Sequence, residues 1–263
     1  MKIVTLIENT ACRENLSCEH GLSLYMETKS HKILFDAGQT GAFADNAQRL
    51  GVDLAAVDMA ILSHGHYDHS GGFGRFLEMN KTAKIYVNQQ ALKPHFNGAG
   101  GYIGIAPALT ESDRLVFTQD VHKIAEGLTL YSCNDRERPY HMDNFGLQME
   151  EKGVLAPDDF CHEQYLLVEE GEKRICISGC SHKGILNIAG WFRPDVLVGG
   201  FHFMKVDTQG EGAAFLKNAA RELLRYPTVY YTGHCTGQEQ FAYMKTYMDD
   251  RLQALSAGTV IHL

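Results

Sequence analysis

Leu62-Ser63-His64-Gly65-His66-Tyr67-Asp68-His69-Ser70-Gly71-Gly72 sets three imidazoles and a carboxylate within six residues, between an apolar run and a pair of glycines. Imidazole and carboxylate are the donors that Zn²⁺ selects, and they also suit Fe or Mn. On an extended segment His64 and His66 point the same way, because side chains alternate with period two. Both can therefore grip one cation. Asp68 and His69 follow where the chain can turn, and they face a second position nearby. Two pairs of donors predict two metals, with a single-metal site using part of the set as the alternative.

The surroundings of this stretch read as a soluble α/β protein. The chain has 263 residues, 44% of them hydrophobic and 21% charged, within the range of one large domain or two small ones. A net charge of −8 argues against nucleic acid as a main partner, since phosphate binding needs a basic face. No apolar run reaches the length of a membrane span, and Met1 to Asn9 reads as a first strand and not as a signal peptide. A cytoplasmic location is expected. The seven Cys form no CxxC pair, so no disulfide framework is expected in such a chain.

Short alternating runs at 2–8, 21–26 and 32–36 predict a meander. A surface helix is expected over 40–50, a buried strand over 58–62 running straight into the His cluster, and a helix from Gly72 to Met79. Strand 84–88 is followed by a glycine-interrupted stretch, 89–114, read as a mobile loop or lid, and 135–161 is also read as loop. Beyond it, strands are expected at 164–169, 174–178, 195–199 and 228–232, with helices near 185–192, 211–226 and 237–253. No short repeat or linker interrupts the chain, and one domain over 1–263 is the economical reading.

Three more strands end in a turn bearing His. They are Ile175 to Ser178 leading to Gly179-Cys180-Ser181-His182, Val196 to Val198 leading to Gly199-Gly200-Phe201-His202, and Val229 to Thr232 leading to Gly233-His234-Cys235. Ligands gather at one end of such sheets, so four strand ends are expected to meet in one pocket. Phe35-Asp36-Ala37-Gly38 adds a strand-end carboxylate, read either as an Asx-type turn or as support for a metal-binding His.

The pattern His64-x-His66-x-Asp68-His69, with Ser70-Gly71-Gly72 after it and Phe35-Asp36-Ala37-Gly38 before it, resembles the metallo-β-lactamase superfamily. Glu19-His20-Gly21-Leu22-Ser23, Gly179-Cys180-Ser181-His182, Gly199-Gly200-Phe201-His202 and Gly233-His234-Cys235-Thr236-Gly237 are similar to one branch of it. That branch is named after a dihydropterin-linked synthase and also holds proteins called metal-dependent hydrolases. The resemblance implies a four-layer αββα sandwich with the metals at the edge between two sheets. It puts His64 and His66 on the first metal, and Asp68, His69 and His234 on the second. Superfamily members carry a further His for the first metal and a bridging Asp in a Gly-Asp turn. Here the turn is Gly179-Cys180, so His182 is taken as the remaining ligand and Cys180 as another donor. His141 and His162 are the alternatives for the missing His.

Two Zn²⁺ are the expected cofactors, with Fe or Mn in their place as alternatives, activating water for hydrolysis of an ester, amide or phosphoester. Asp68 would orient that water and His202 would touch substrate, as a proton donor or a phosphate contact. A small-molecule substrate is expected, pterin-like or phosphorylated, and Phe96, Tyr102, Tyr140 and Phe145 are candidates to stack on a flat ring. Two other functions compete. One is the synthase reaction of the named branch; the other is an iron-containing redox or metal-binding protein, for which the chain offers few extra carboxylates.

Overall fold

Most strands of this chain are apolar at successive positions, and the structure explains why: both faces of each main sheet are covered. The computed structural model describes residues 1–263. In chain order its first half carries β1 (Lys2–Ile7), β2 (Ser23–Glu27), β3 (Lys32–Phe35), α1 (Ala42–Arg49), β4 (Met59–Ile61), α2 (Tyr67–Ser70), α3 (Phe73–Met79), β5 (Lys84–Asn88), β6 (His95–Phe96), α4 (Pro107–Thr110), β7 (Leu115–Thr118), β8 (Val121–Ala125) and β9 (Leu128–Tyr131). The second half carries β10 (Gln148–Glu151), β11 (Val154–Pro157), β12 (Tyr165–Glu170), β13 (Lys173–Ile177), α5 (Ile185–Phe192), β14 (Val196–Val198), α6 (Gly210–Leu223), β15 (Val229–Thr232), α7 (Gln238–Met248), β16 (Leu252–Ala254) and β17 (Val260–His262).

Two seven-stranded sheets result, in the orders β17-β1-β2-β3-β4-β5-β7 and β16-β15-β14-β13-β12-β9-β8. Alternate residues of one strand enter different layers, as a period of two requires. Ile33 and Phe35 join Ile175, Ile177 and Val198 in the core between the sheets. Leu34, between them in sequence, packs instead with Phe43, Ala47, Phe73 and Phe76 beneath the helices of the first sheet. Cys176 and Leu197 do the same beneath α5, α6 and α7 on the second. The architecture is the expected αββα sandwich. No helix is long and apolar enough to cross a membrane.

Strands β3, β4, β5 and β7 run parallel, as do β13, β14, β15 and β16. Parallel neighbours end at the same edge, so Asp36 after β3 lies beside Ser63 after β4, and the turns after β13, β14 and β15 open together. This register is what collects the strand-end His residues. Gly71 and Gly72 serve the same edge: a Cβ there would stand 2.0 Å from Gln39 O and 2.1 Å from Ala37 O, so the turn after β3 closes directly on α2.

Two segments expected as loop or lid hold order of their own. Gln148 and Met149 of β10 pair with Phe96 and His95 of β6, and β11 pairs with β10, making a third sheet of three strands. A strand of two residues whose partner lies some fifty residues away leaves no periodicity to read. The helix expected over 237–253 stops at Met248. Asp249 takes φ +44°, and the chain turns back to give β16, an edge strand parallel to β15.

Candidate metal centre

Both ring nitrogens of His64 have defined duties. Asp36, fully buried, accepts from Ser63 N–H at 2.7 Å through Oδ1 and from Ser63 Oγ–H at 2.7 Å through Oδ2. With its proton spent, Ser63 Oγ can only accept from His64 Nδ1 at 2.8 Å. His64 Nε2 is therefore left with a bare lone pair. It faces His182 Nε2 at 3.3 Å. His66 is the third member of this buried group, its ring centroid 4.6 Å from that of His64 and 4.9 Å from that of His182. Burial lowers the pKa of all three well below the ordinary value; neighbouring imidazoles reinforce it, and at His66 the opposing Asp68 and Asp158 do not reverse it, so they stand as neutral donors. His66 Nε2 and His182 Nδ1 are buried with no hydrogen-bond partner.

The second group forms in the same way. His69 Nδ1 donates to Asp36 Oδ2 at 2.6 Å. His234 Nδ1 donates to Asn9 Oδ1 at 2.9 Å; that atom is identified as oxygen because it also accepts Gly21 N–H. The Nε2 atoms of His69 and His234 then meet at 3.2 Å, with Cys180 Sγ 3.2 Å from His69 Nε2 and Asp68 Oδ2 3.2 Å from His234 Nε2. Donors held about 2.1 Å from a tetrahedral cation stand ~3.4 Å apart, a spacing met by the His64–His182 pair and by the three contacts of the second group, and the donor atoms of each group all lie within 4.8 Å of one another.

The charge balance agrees. Burial alone would raise the Asp68 pKa, but His69 and His234 hold its carboxyl well below the usual range. Burial alone would lower that of His69, yet Asp36 and Asp68 outweigh it and carry the imidazole up to about 9. Two buried carboxylates thus demand a positive charge at His69 Nε2, as a proton or as a cation. Burial and then Cys235 push the Cys180 thiol up, so it is a thiol donor that only a cation would ionise. The residues present fit divalent cations.

The expected set is therefore brought together: His64, His66 and His182 in one group, and Asp68, His69, His234 and Cys180 in the other. His202 adjoins them. Its ring lies 4.3 Å from that of His182 and 5.4 Å from that of Phe145, both its nitrogens are buried without partners, and its backbone is left-handed at φ +59°. His141 is exposed and joins no cluster. His162, the other alternative, is fully buried just before β12, with its nitrogens engaged by Gly65 N–H and Asp158.

A cavity of about 400 Å³ opens beside His182, lined by Arg138, Tyr140, His141, Asp143, Asp159 and Phe160 among others. Of the four loop aromatics, Phe96 and Tyr102 pack on each other at 5.7 Å, and Tyr140 donates to Glu222. Only Phe145 reaches the rings of the site.

Four residues of this site were given no role from the sequence, although one of them, His20, lies in the Glu19–Ser23 stretch quoted for the resemblance. Glu8 accepts the N–H of His234, and Asn9 orients its ring. Glu163, fully buried, accepts His182 N–H at 2.7 Å and Lys183 N–H at 3.0 Å, and so fixes the loop that carries His182. His20, half-exposed at the rim, sets Nε2 3.4 Å from Asp68 Oδ2.

Comparison with known proteins agrees with this arrangement. A sequence model described as "Metallo-beta-lactamase superfamily" matches residues 16–234. The chain is 29% identical to 7,8-dihydropterin-6-methyl-4-(β-D-ribofuranosyl)-aminobenzene-5'-phosphate synthase of Methanocaldococcus jannaschii, over 99% of this chain and 96% of the relative. It is 30% identical to an uncharacterized protein of the same organism, over 78% of this chain and 80% of that one. Among solved structures, a metal-dependent hydrolase of the β-lactamase superfamily superposes with a TM-score of 0.84 at 25% identity, covering 100% of this chain and 99% of the other.

Proposed function

The chain belongs to the metallo-β-lactamase superfamily, and from that premise we propose that it is a metal-dependent hydrolase acting on an ester, amide or phosphoester bond of a small molecule. His64, His66 and His182 hold one divalent cation, and Asp68, His69, His234 and Cys180 a second. Zinc is the ion that a set rich in nitrogen with one sulfur suits, and iron or manganese are the alternatives. Such cations, when bound, supply a Lewis acid and lower the pKa of water toward neutrality.

The protein's own part is positional. Asp36 keeps the His64 and His69 donors turned inward, through Ser63 in the first case and directly in the second. Asp68, ionised and facing both His69 and His234, orients the attacking water through its carboxylate. His202, with two uncommitted nitrogens beside His182, donates a proton to the leaving group. The cavity flanked by Arg138, Tyr140 and Phe160 takes the substrate. The observation that carries this reading is the inward convergence of lone pairs from His64, His69 and His234, each fixed by a hydrogen bond at its other ring nitrogen.

The identity to the dihydropterin-linked synthase over nearly the whole chain favours a second reading, in which a pterin bearing a leaving group on its 6-methyl carbon loses that group as the carbon is joined to a ribosylated aminobenzene phosphate, and cations, if bound, would supply Lewis acidity to the departing group. Zinc-loaded protein should be tested on a p-nitrophenyl ester, an anilide and bis(p-nitrophenyl) phosphate. Hydrolysis of at least one, removed by chelation and restored by zinc, is expected. No turnover of any of the three, together with condensation of a pterin activated by a leaving group on its 6-methyl carbon with the aminobenzene riboside phosphate and release of that group, would replace the hydrolase reading by the synthase one.

A further inference from the structure

Sharing His66 with the first donor group, a further buried cluster brings in His95, Asp158 and His162, whose purpose neither reading of the chemistry supplies. Its hydrogen bonds fix every proton on the His162 ring. Gly65 N–H donates to His162 Nδ1 at 2.9 Å, so Nδ1 carries no proton and Nε2 must. That Nε2–H lies 3.2 Å from Asp158 Oδ2 and donates to it. The same carboxylate oxygen takes His95 Nδ1 at 2.9 Å, and Asp158 Oδ1 accepts Phe160 N–H at 2.8 Å.

Gly65 is the residue between His64 and His66, and it is gripped from two sides. His162 holds its N–H. On the other side a Cβ at Gly65 would stand 2.8 Å from His95 Nε2 and 2.7 Å from Ala91 O, so the peptide is pressed against the His95 ring and a neighbouring turn. One buried carboxylate orients both rings, whose centroids are 4.1 Å apart. Burial alone would raise the Asp158 pKa, but the hydrogen bonds from His162 and His95 hold it well below the usual range, so the acceptor is a full carboxylate.

We propose that His162 is a positioning residue and not a metal ligand: with Asp158 behind it, it clamps the Gly65 peptide and thereby sets the separation of the His64 and His66 donors. This rests on the reading that His64, His66 and His182 hold a cation. Because both nitrogens of His162 are committed, it reaches that cation only through the backbone of the residues that bind it.

Two near-isosteric variants separate the roles. The Asn amide oxygen falls near the place of Nδ1, so His162→Asn keeps an acceptor for Gly65 N–H. The Gln amide falls near Nε2, so His162→Gln keeps the Asp158 contact and loses the Gly65 one. Zinc affinity is measured by chelator competition, the visible spectrum on the cobalt-substituted protein, and the thermal midpoint on metal-free protein.

His162→Asn should bind zinc within about threefold of the parent with an unchanged cobalt spectrum. His162→Gln should bind about 10- to 100-fold more weakly, the range for lost support of a ligand. A ligand role would alter the cobalt spectrum in both variants and overturn the proposal. Equal affinities in the two variants, or lowered thermal midpoints with parental affinity in both, would also overturn it. A parent protein that binds neither zinc nor cobalt would sink the metal reading itself and this proposal with it.

Discussion

His182→Ala should bind one cation fewer per chain and lose at least about 100-fold in activity, while His141→Ala keeps the parental metal content and rate. His182 Nε2 stands 3.3 Å from His64 Nε2, and the two rings form one buried donor group with His66. Removing even a group that supports a ligand costs about 10- to 100-fold in metal affinity, so removing the ligand should cost more. Folding should survive, because His182 lies at the sheet edge and the three apolar cores do not depend on it. Metal analysis with circular dichroism on the same samples checks both halves. A His182→Ala protein with full metal content and parental activity would remove His182 from the site.

Asp36→Ala should be the most destabilising single change, by about 3–5 kcal/mol, the usual cost of removing one partner from a buried charged network. The carboxylate is fully buried and accepts from Ser63 N–H, Ser63 Oγ–H and His69 Nδ1. Its loss strands donors in the interior at ~1–3 kcal/mol each, and the Ala must still adopt φ +58°. Two donors facing the cations, on His64 and His69, would also lose their fixed tautomer. Urea denaturation of metal-free protein gives the stability. A loss under about 1 kcal/mol would show that Asp36 is an ordinary turn residue, the alternative to which its sequence context also points.

How far the site could be read in advance depended on where each residue lies relative to its strand. His64, His66, Asp68 and His69 sit in one short motif, and their spacing alone implies two donor pairs. His182, His202 and His234 were legible because each follows an apolar strand and a glycine, and parallel strands end at a common edge. His162 was read only as an alternative ligand, with its place in the fold hidden, because it precedes its strand: β12 runs antiparallel to β13, so the start of β12 lies at the edge where β13 ends. Glu8, Asn9 and Glu163 left no mark, since their roles run through backbone N–H groups or through rings far off in sequence. The αββα layering was legible in the doubly apolar strands and in the resemblance of the His motif. The small sheet of β6, β10 and β11 was not, because pairing across a long separation creates it and local composition does not.

Zinc stoichiometry decides whether the two donor groups each hold a cation. Metal-free protein is titrated with zinc and the equivalents are counted in the parent, His66→Ala and His69→Ala proteins. Two equivalents are expected for the parent and one for each variant, with the fold retained throughout. A parent that binds one equivalent or none, or variants that keep both, would overturn this assignment.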